Sequence, residues 1–499
     1  MLDLIRPSNF IMSADGYKIN HHRQQPKYHD INNLYVVIVP RKPSFYSDKI
    51  VAAGQSLVTK ILANTRITTK MVNEAERHIT RQGYRFNRSR WDYIVEHHQG
   101  RLPLTIMAVE EGRVVDPQTP IMAIFATDPK CQWLTTYIET WCQQIVWKMS
   151  TVASLCRSVK IKLKEKIIQT GADLSELDSM LINFGDRGAD SPTEAAVMAG
   201  ISHAMLFNAS DCIRANMYIE DIFDNSYDIY TKSIDATEHS VMVQNSNVKN
   251  KDDFMAAKMA VDQLAEIIID SKTNQYLIPA FSVVIDTYDS RRFVRDYIGT
   301  RLKDQIVAVC SDIGTLILRP DSNDPTIEPG LVGLDVDQTF GCTTNSLGFK
   351  VLPKFIGVLQ GDGNRIDTYE SIIDGWINTG FALNGFKLGM GSGITHDNAR
   401  DDFSFSMKAV AELTGDSDKL WQPLLKDPIT DHSKKSLSGI VYCEVENNHI
   451  VSHQLSDPTL VNFNMVQQSR PGWRCWYQNG HQQYRQTFEL AREFANQGI

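Results

Sequence analysis

The chain is predicted to be an α/β protein, with a parallel-stranded barrel at its centre and a second, sheet-containing α+β domain. Three observations carry this expectation. Five times between residues 180 and 400, a short apolar run breaks off in a knot of Gly, Asp, Arg and Ser. Segments with helical spacing fill the gaps between those runs. Outside the repeat, on both sides, the apolar runs alternate with turns at short intervals, as small antiparallel sheets do. Runs of β-branched and aliphatic residues read as buried parallel strands. The loops that follow such strands share one face of the sheet and carry its chemistry. An active site is therefore expected where the five runs end.

Taken in order, residues 1–150 read as an N-terminal α+β domain. Tyr35-Val-Val-Ile-Val is a strand and residues 49–64 a helix; Leu104-Thr-Ile-Met-Ala-Val and Pro120-Ile-Met-Ala-Ile-Phe are strands separated by turns at Glu110-Glu-Gly and Asp116-Pro. Residues 135–170 place Leu, Ile, Trp and Val at three- and four-residue intervals, which predicts a helix. The barrel is expected over residues 151–409. Its runs end at Phe184-Gly-Asp-Arg-Gly188, Asp286-Thr-Tyr-Asp289, Arg319-Pro-Asp-Ser322, Gly361-Asp-Gly363 and Gly389-Met-Gly-Ser-Gly393, with helices over residues 252–271 and 367–380. Residues 410–499 are expected to pack back on the N-terminal domain, through a hairpin turning at Asn447-Asn448 and a terminal helix over 484–496.

Bulk properties narrow the class. A chain of 499 residues exceeds one small core. With 42% hydrophobic and 22% charged residues it has an ordinary globular composition, and no run approaches the ~18 apolar residues of a membrane span. The start lacks the basic and apolar regions of a secretory signal. A net charge of −8 disfavours a nucleic-acid coat. Eight cysteines without a CxxC pair argue against a zinc site or disulfide framework and point to the cytoplasm. No metal-ligand cluster is expected.

Several residues invite a site reading beside a plainer one. Arg319 and Asp321, two apart after a strand, suit an anionic sugar or close a loop as an internal ion pair. The glycines around Gly361, Gly391 and Ser392 either let backbone N–H groups approach a phosphate or simply make tight turns. Asp286 reads as a site residue and Asp289 as the cap of the next helix. His239 beside Glu238 is a candidate base or a structural imidazole. Phe184, with Arg187 close by, and Tyr17 either stack on a flat heteroaromatic ligand or belong to the core. Arg400, Lys408, Lys426, Lys434 and Lys435 form a solvated surface or a phosphate collar.

Six ordered motifs resolve these alternatives. Asp15-Gly-Tyr-Lys, Phe184-Gly-Asp-Arg-Gly, Ala236-Thr-Glu-His-Ser, Arg319-Pro-Asp-Ser, Gln360-Gly-Asp-Gly and the Gly-rich segment ending at Arg400-Asp401 give a chain that resembles the nicotinamide phosphoribosyltransferases, type II phosphoribosyltransferases, from about residue 10 to about 440. The resemblance implies an irregular, TIM-like α/β barrel with an added sheet domain, working as a homodimer. It implies condensation of nicotinamide with phosphoribosyl pyrophosphate to nicotinamide mononucleotide, for NAD biosynthesis. Magnesium would be carried with the diphosphate, and ATP would act as a coupling substrate.

The resemblance also implies roles. Phe184 and Tyr17, the latter from the partner subunit, would stack on the pyridine. Asp211 would accept from the carboxamide nitrogen, and Ser282 and Arg319 would hold its oxygen. Asp321, Gly361 and Asp362 would bind ribose, and Arg187, Gly391 and Ser392 the 5′-phosphate. Asp286 would lie near the reacting centre, and His239 would be phosphorylated by ATP. Arg41, Arg400, Ser406, Lys408 and Lys426 would surround diphosphate or ATP phosphates. Two positions depart from the family: Asp186 stands where Tyr is usual, and Ser392 where Gly is. The rival readings are nicotinate phosphoribosyltransferase, a non-catalytic ligand-binding relative, and an aldolase or lyase using Lys387.

Overall fold

The computed structural model describes residues 7–26, 30–223, 228–310, 313–415, 421–430, 435–455 and 468–499. Two seven-stranded sheets organise it, one parallel and one antiparallel.

All five apolar runs form strands of the parallel sheet. Its order is Ala209–Ser210, Leu181–Asn183, Phe386–Met390, Ile356–Gln360, Thr315–Arg319, Ala280–Val284 and Asp235–Ala236. Every neighbouring pair is parallel. The sheet curls, and beyond its Ala209–Ser210 edge one isolated parallel bridge joins Ala209 to Lys232, three residues before the opposite edge strand, with the Ser210 N–H donating to the Lys232 carbonyl at 3.0 Å. Aliphatic side chains such as Leu316, Leu318, Val358, Leu388 and Val283 are fully buried between sheet and helices. Each contributes on the order of 1.5–3 kcal/mol by leaving water. Helices Phe254–Ser271 and Tyr369–Asn378 lie between strands of the repeat, two residues inside the expected ranges at each boundary that moved.

The antiparallel sheet runs Trp421–Pro423, Ser406–Thr414, Ile31–Val39, Met122–Ala126, Leu104–Ala108, Arg474–Gln478 and His481–Gln482. Residues from both ends of the chain thus share one sheet: Val36 faces Ala409 on one side and Ile124 on the other, and Met107 faces Cys475. Ser406–Thr414 runs through the expected boundary at 409/410, and helix Glu139–Thr170 runs through that at 150/151. The helix continues there because residues 145–156 are almost all buried, and only Gly171, in the left-handed region at φ 66°, stops it.

The expected helix over 49–64 begins later. Ile50–Val51 instead pairs with Val114–Val115, and the helix Gln55–Asn64 follows Gly54, whose φ of 105° few side chains tolerate. The hairpin Ile440–Glu446/His449–Leu455 turns at Asn447-Asn448, both at positive φ, and the last helix is Phe488–Ala495. No helix among the described residues is long and apolar enough to cross a membrane.

Candidate active site

The ends of the parallel strands enclose a cavity of about 1090 Å³. Its wall carries Phe184, Arg187, Asp211, His239, Arg319, Asp321, Gly361, Asp362, Gly391 and Ser392. Residues spread over more than two hundred positions meet here because successive parallel strands each end at this face.

Behind one wall lies a buried carboxylate. Asp286 Oδ2 accepts from the backbone N–H groups of Asp321, at 2.9 Å, and of Ser322, while Oδ1 lies 3.2 Å from His239 Nε2. The side chain is only 3% exposed and is not part of the cavity wall. Expected near the reacting centre, Asp286 stands behind the cavity wall beside His239, where the geometry makes it an anchor for His239 and for the Arg319-Pro-Asp321 loop. His239 is half-exposed, and its Nδ1 lies 3.8 Å from Asp321 Oδ2, too far for a hydrogen bond. An ionised Asp286 can only accept, so Nε2 is the nitrogen that donates to it, and Nδ1 is the ring nitrogen without a hydrogen bond among the described residues. Asp289 caps the following turn by accepting from Arg292 N–H at 3.0 Å, so its capping role stands.

Arg319 and Asp211 define the deeper end. Arg319 donates from Nη2 to the Thr237 carbonyl at 2.7 Å, and its buried Nε has no protein partner among the described residues. Burial lowers its pKa, opposed by the charges of Asp321, Asp211 and Asp286. Burial pushes the Asp211 carboxyl up, against a hydrogen bond from Ser233 Oγ and the charge of Arg319. Ser282 lies in mid-strand, 2% exposed, and its Oγ is a second buried donor without a protein partner among the described residues. Phe184, Asp211, Ser282 and Arg319 also line a second, more apolar cavity of about 600 Å³ inside the parallel sheet, which shares Phe184, Asp211 and Arg319 with the first. Lys387 lines that inner cavity; its ammonium donates to Ser179 Oγ at 2.7 Å, and burial lowers its pKa.

The glycines are used for close approach. A Cβ on Gly361 would lie 2.9 Å from Asp321 Oδ1 and 3.2 Å from Arg319 Cδ. One on Gly389 would lie 2.2 Å from Phe184 Cε2 and 2.5 Å from Cδ2, so that edge of the ring sits directly against the Gly389 backbone. Ser392 Oγ donates to Asp397 Oδ2 at 3.4 Å.

Two cations of the wall went unnoticed in the sequence. Arg214 donates to Asp186 Oδ1 at 2.6 Å, and Arg365 Nε lies 3.4 Å from Asp397 Oδ2. The unusual Asp186 therefore has a local function, to hold Arg214 at the rim.

Other expected residues do not join this cavity within one chain. Tyr17 is 58% exposed on the turn of helix Gly16–Arg23 and is absent from the wall. Arg41 and Lys435 line a separate cavity of about 830 Å³, with Lys42 and Ser404, that shares no residue with the first. Ser406 and Lys408 lie on Ser406–Thr414, the strand that follows Ser404 of that cavity; Lys426 is tied to Ser436 of its wall by a backbone N–H donating to Oγ at 3.0 Å. Arg400 is exposed and paired with Asp401 at 2.8 Å. Lys434 lies outside the described residues. Among those residues, the groups with metal-ligand spacing, His98–Asp128–Cys131 and Glu444–Glu446–His453, are elsewhere too.

A model of the nicotinate phosphoribosyltransferase (NAPRTase) family matches residues 180–490. The chain belongs to this phosphoribosyltransferase family. It is accordingly a pentosyltransferase. A second model, described as the nicotinamide phosphoribosyltransferase N-terminal domain, matches residues 9–106. Similar curated proteins are the nicotinamide phosphoribosyltransferase of Xanthomonas campestris pv. campestris (strain 8004), 30% identical with 86% of each chain covered, and that of Acinetobacter baylyi, 28% identical with 88% of each covered. Among solved structures, nicotinate-nucleotide pyrophosphorylase from Pyrococcus furiosus shares the fold at a TM-score of 0.57 and 13% identity, covering 97% of this chain and 94% of the other. For a phosphoribosyltransferase, a polar cavity at the strand ends with an apolar pocket beneath it is a suitable arrangement: one part for a charged sugar, one for a flat base.

Proposed function

We propose that the chain is a nicotinamide phosphoribosyltransferase, condensing nicotinamide with phosphoribosyl pyrophosphate to nicotinamide mononucleotide and pyrophosphate in cytoplasmic NAD biosynthesis. One observation carries the choice of base. Around Phe184, two buried donors without protein partners among the described residues, Ser282 Oγ and Arg319 Nε, share a pocket with one carboxylate, Asp211. A carboxamide offers the complement, an oxygen for the donors and an N–H for the carboxylate. A carboxylate ligand would set its own charge against Asp211.

The pyridine then lies against Phe184 with its ring nitrogen directed at the sugar. Asp321, Gly361 and Asp362 hold the ribose hydroxyls; Arg187, Gly391 and Ser392 hold the 5′-phosphate. The nitrogen lone pair attacks C1 as the C1–O bond breaks, and pyrophosphate leaves with the bonding electrons. The neutral nucleophile needs no base, so fixed dipoles and positioning do the catalytic work. Tyr17 and the basic group of Arg41, Arg400, Ser406, Lys408 and Lys426 lie apart from the cavity in one chain, which supports a homodimer in which a second copy completes the ring stack and the diphosphate site. Mg²⁺, when bound, neutralises the diphosphate; the exposed oxygens of Asp321 and Asp362 suit such a hydrated, phosphate-borne ion better than a dedicated protein cluster. ATP phosphorylates His239 at the free Nδ1, with ADP leaving, and hydrolysis of that phosphohistidine drives synthesis forward.

The test is formation of nicotinamide mononucleotide from nicotinamide and phosphoribosyl pyrophosphate by the purified protein, with its absence counting against the reading. A local prediction accompanies it. Gly389→Ala must tilt the Phe184 ring, and is expected to raise the nicotinamide KM at least tenfold with little change in the phosphoribosyl pyrophosphate KM. Equal changes in both constants, measured by steady-state kinetics, would remove the stacking role.

A further inference from the structure

Lys148 lies outside the cavity wall and is one of the most buried charged side chains among the described residues. It lies in mid-helix in Glu139–Thr170, with its side chain only 2% exposed. An ammonium taken out of water costs several kcal/mol unless paired and hydrogen-bonded. Here Nζ donates to the Thr395 carbonyl at 2.7 Å and pairs with Glu194.

Those two partners belong to the two loops that meet at one end of the cavity. Thr395 closes the turn Ser392–Thr395 that begins directly after Gly391, and the Ile394 N–H donates to the Gly391 carbonyl at 3.0 Å. Glu194 opens the helical segment Glu194–Ala199, which follows the loop bearing Phe184 and Arg187. The loops pack without slack: a Cβ on Gly185 would fall 2.3 Å from Thr395 Cγ2 and 2.8 Å from the Gly391 carbonyl. His396 Nδ1 adds a second tie to Asp190 at 2.9 Å, on the exposed side. Lys148 is thus the buried clasp between the segment carrying Arg187 and the segment carrying Gly391 and Ser392.

We propose that Lys148 is a positioning residue for the anion end of the cavity, fixing the spacing of Arg187 against Ser392 so that the 5′-phosphate site is formed before substrate arrives. This rests on the assignment of that end to the 5′-phosphate. A preformed site spares the ordering cost that binding otherwise incurs. A lysine that merely held the fold together would lower stability without singling out one ligand.

The experiment compares wild type, Lys148→Met and Lys148→Arg in titrations with ribose 5-phosphate, which presents the 5′-phosphate and ribose without the diphosphate, and in steady-state kinetics. Lys148→Met is expected to bind ribose 5-phosphate about tenfold more weakly and to raise the phosphoribosyl pyrophosphate KM by a similar factor. Its nicotinamide KM and kcat should stay within about twofold, and Lys148→Arg should recover part of the loss. A folded Lys148→Met with unchanged ribose 5-phosphate affinity overturns the proposal, as does an equal loss for nicotinamide. If Lys148→Met does not fold, Glu194→Gln is titrated instead: severalfold weaker ribose 5-phosphate binding supports the clasp and unchanged binding overturns it. The titrations need no turnover. Failure of the wild type to make the mononucleotide would therefore count against the proposed reaction and leave the result for Lys148 readable.

Discussion

Asp211→Asn is expected to raise turnover of nicotinate relative to nicotinamide on the order of a hundredfold. Asparagine keeps an oxygen that accepts from the carboxamide, so nicotinamide still binds, but it removes the charge that opposes a substrate carboxylate. A desolvated like-charge contact costs several kcal/mol, and each 1.4 kcal/mol is a factor of ten. The Asp211 charge also makes the selectivity depend on pH. Burial raises the Asp211 pKa, so the side chain takes up its proton at a higher pH than an ordinary carboxylate. Discrimination against nicotinate should hold above that pKa and fade as pH falls through it, while the asparagine variant shows no such trend. The sign for stability is the opposite of the usual carboxylate case. The folded state binds this proton more readily than the unfolded chain, so the group favours folding at low pH and that contribution is lost as pH rises through the raised pKa. Competition kinetics with both substrates across pH measures the first effect; a substrate ratio unmoved by the substitution would remove Asp211 from the account of selectivity.

His239→Ala is expected to abolish stimulation by ATP while leaving basal synthesis. The imidazole is the side chain whose second nitrogen Asp286 anchors, so its loss removes the phosphate acceptor. The ring-binding residues Phe184, Asp211 and Ser282 do not contact it among the hydrogen bonds and ring contacts of the described residues. Radiolabel from the γ-phosphate of ATP should appear on the wild type and not on the variant. An equal response to ATP in both would end the phosphohistidine reading.

The parallel sheet was readable where strands are long and apolar. Phe281-Ser-Val-Val and Ile356-Gly-Val-Leu-Gln announce themselves because both faces are covered. The two edge strands, Ala209–Ser210 and Asp235–Ala236, gave no signal: two residues, one of them polar, have no periodicity, and only the neighbouring strand defines them. Helix Gln55–Asn64 was drawn too long because Ile50 and Val51 satisfy a helical pattern as well as a strand. Pairing with Val114 and Val115 decided between them, and such long-range pairing is not written locally. In the site, the strand-end residues Phe184, Arg319, Asp321 and Ser392 were found because position after an apolar run is itself a signal. Arg214, Arg365 and Lys148 were passed over for the opposite reason. A charge on a helix or turn looks solvated until the fold supplies Asp186, Asp397 or Glu194 beside it. Tyr17, an aromatic candidate in the sequence, and Arg41, placed by the resemblance, lie apart from the cavity in a single chain, which only the arrangement of the two sheets reveals.

The central claim is that Asp211, Ser282 and Arg319 select an amide. It is tested most directly by the ratio of kcat/KM for nicotinamide to that for nicotinate, with phosphoribosyl pyrophosphate saturating and ATP both present and absent. A preference for nicotinamide of at least a hundredfold is expected under both conditions. A preference for nicotinate would contradict it.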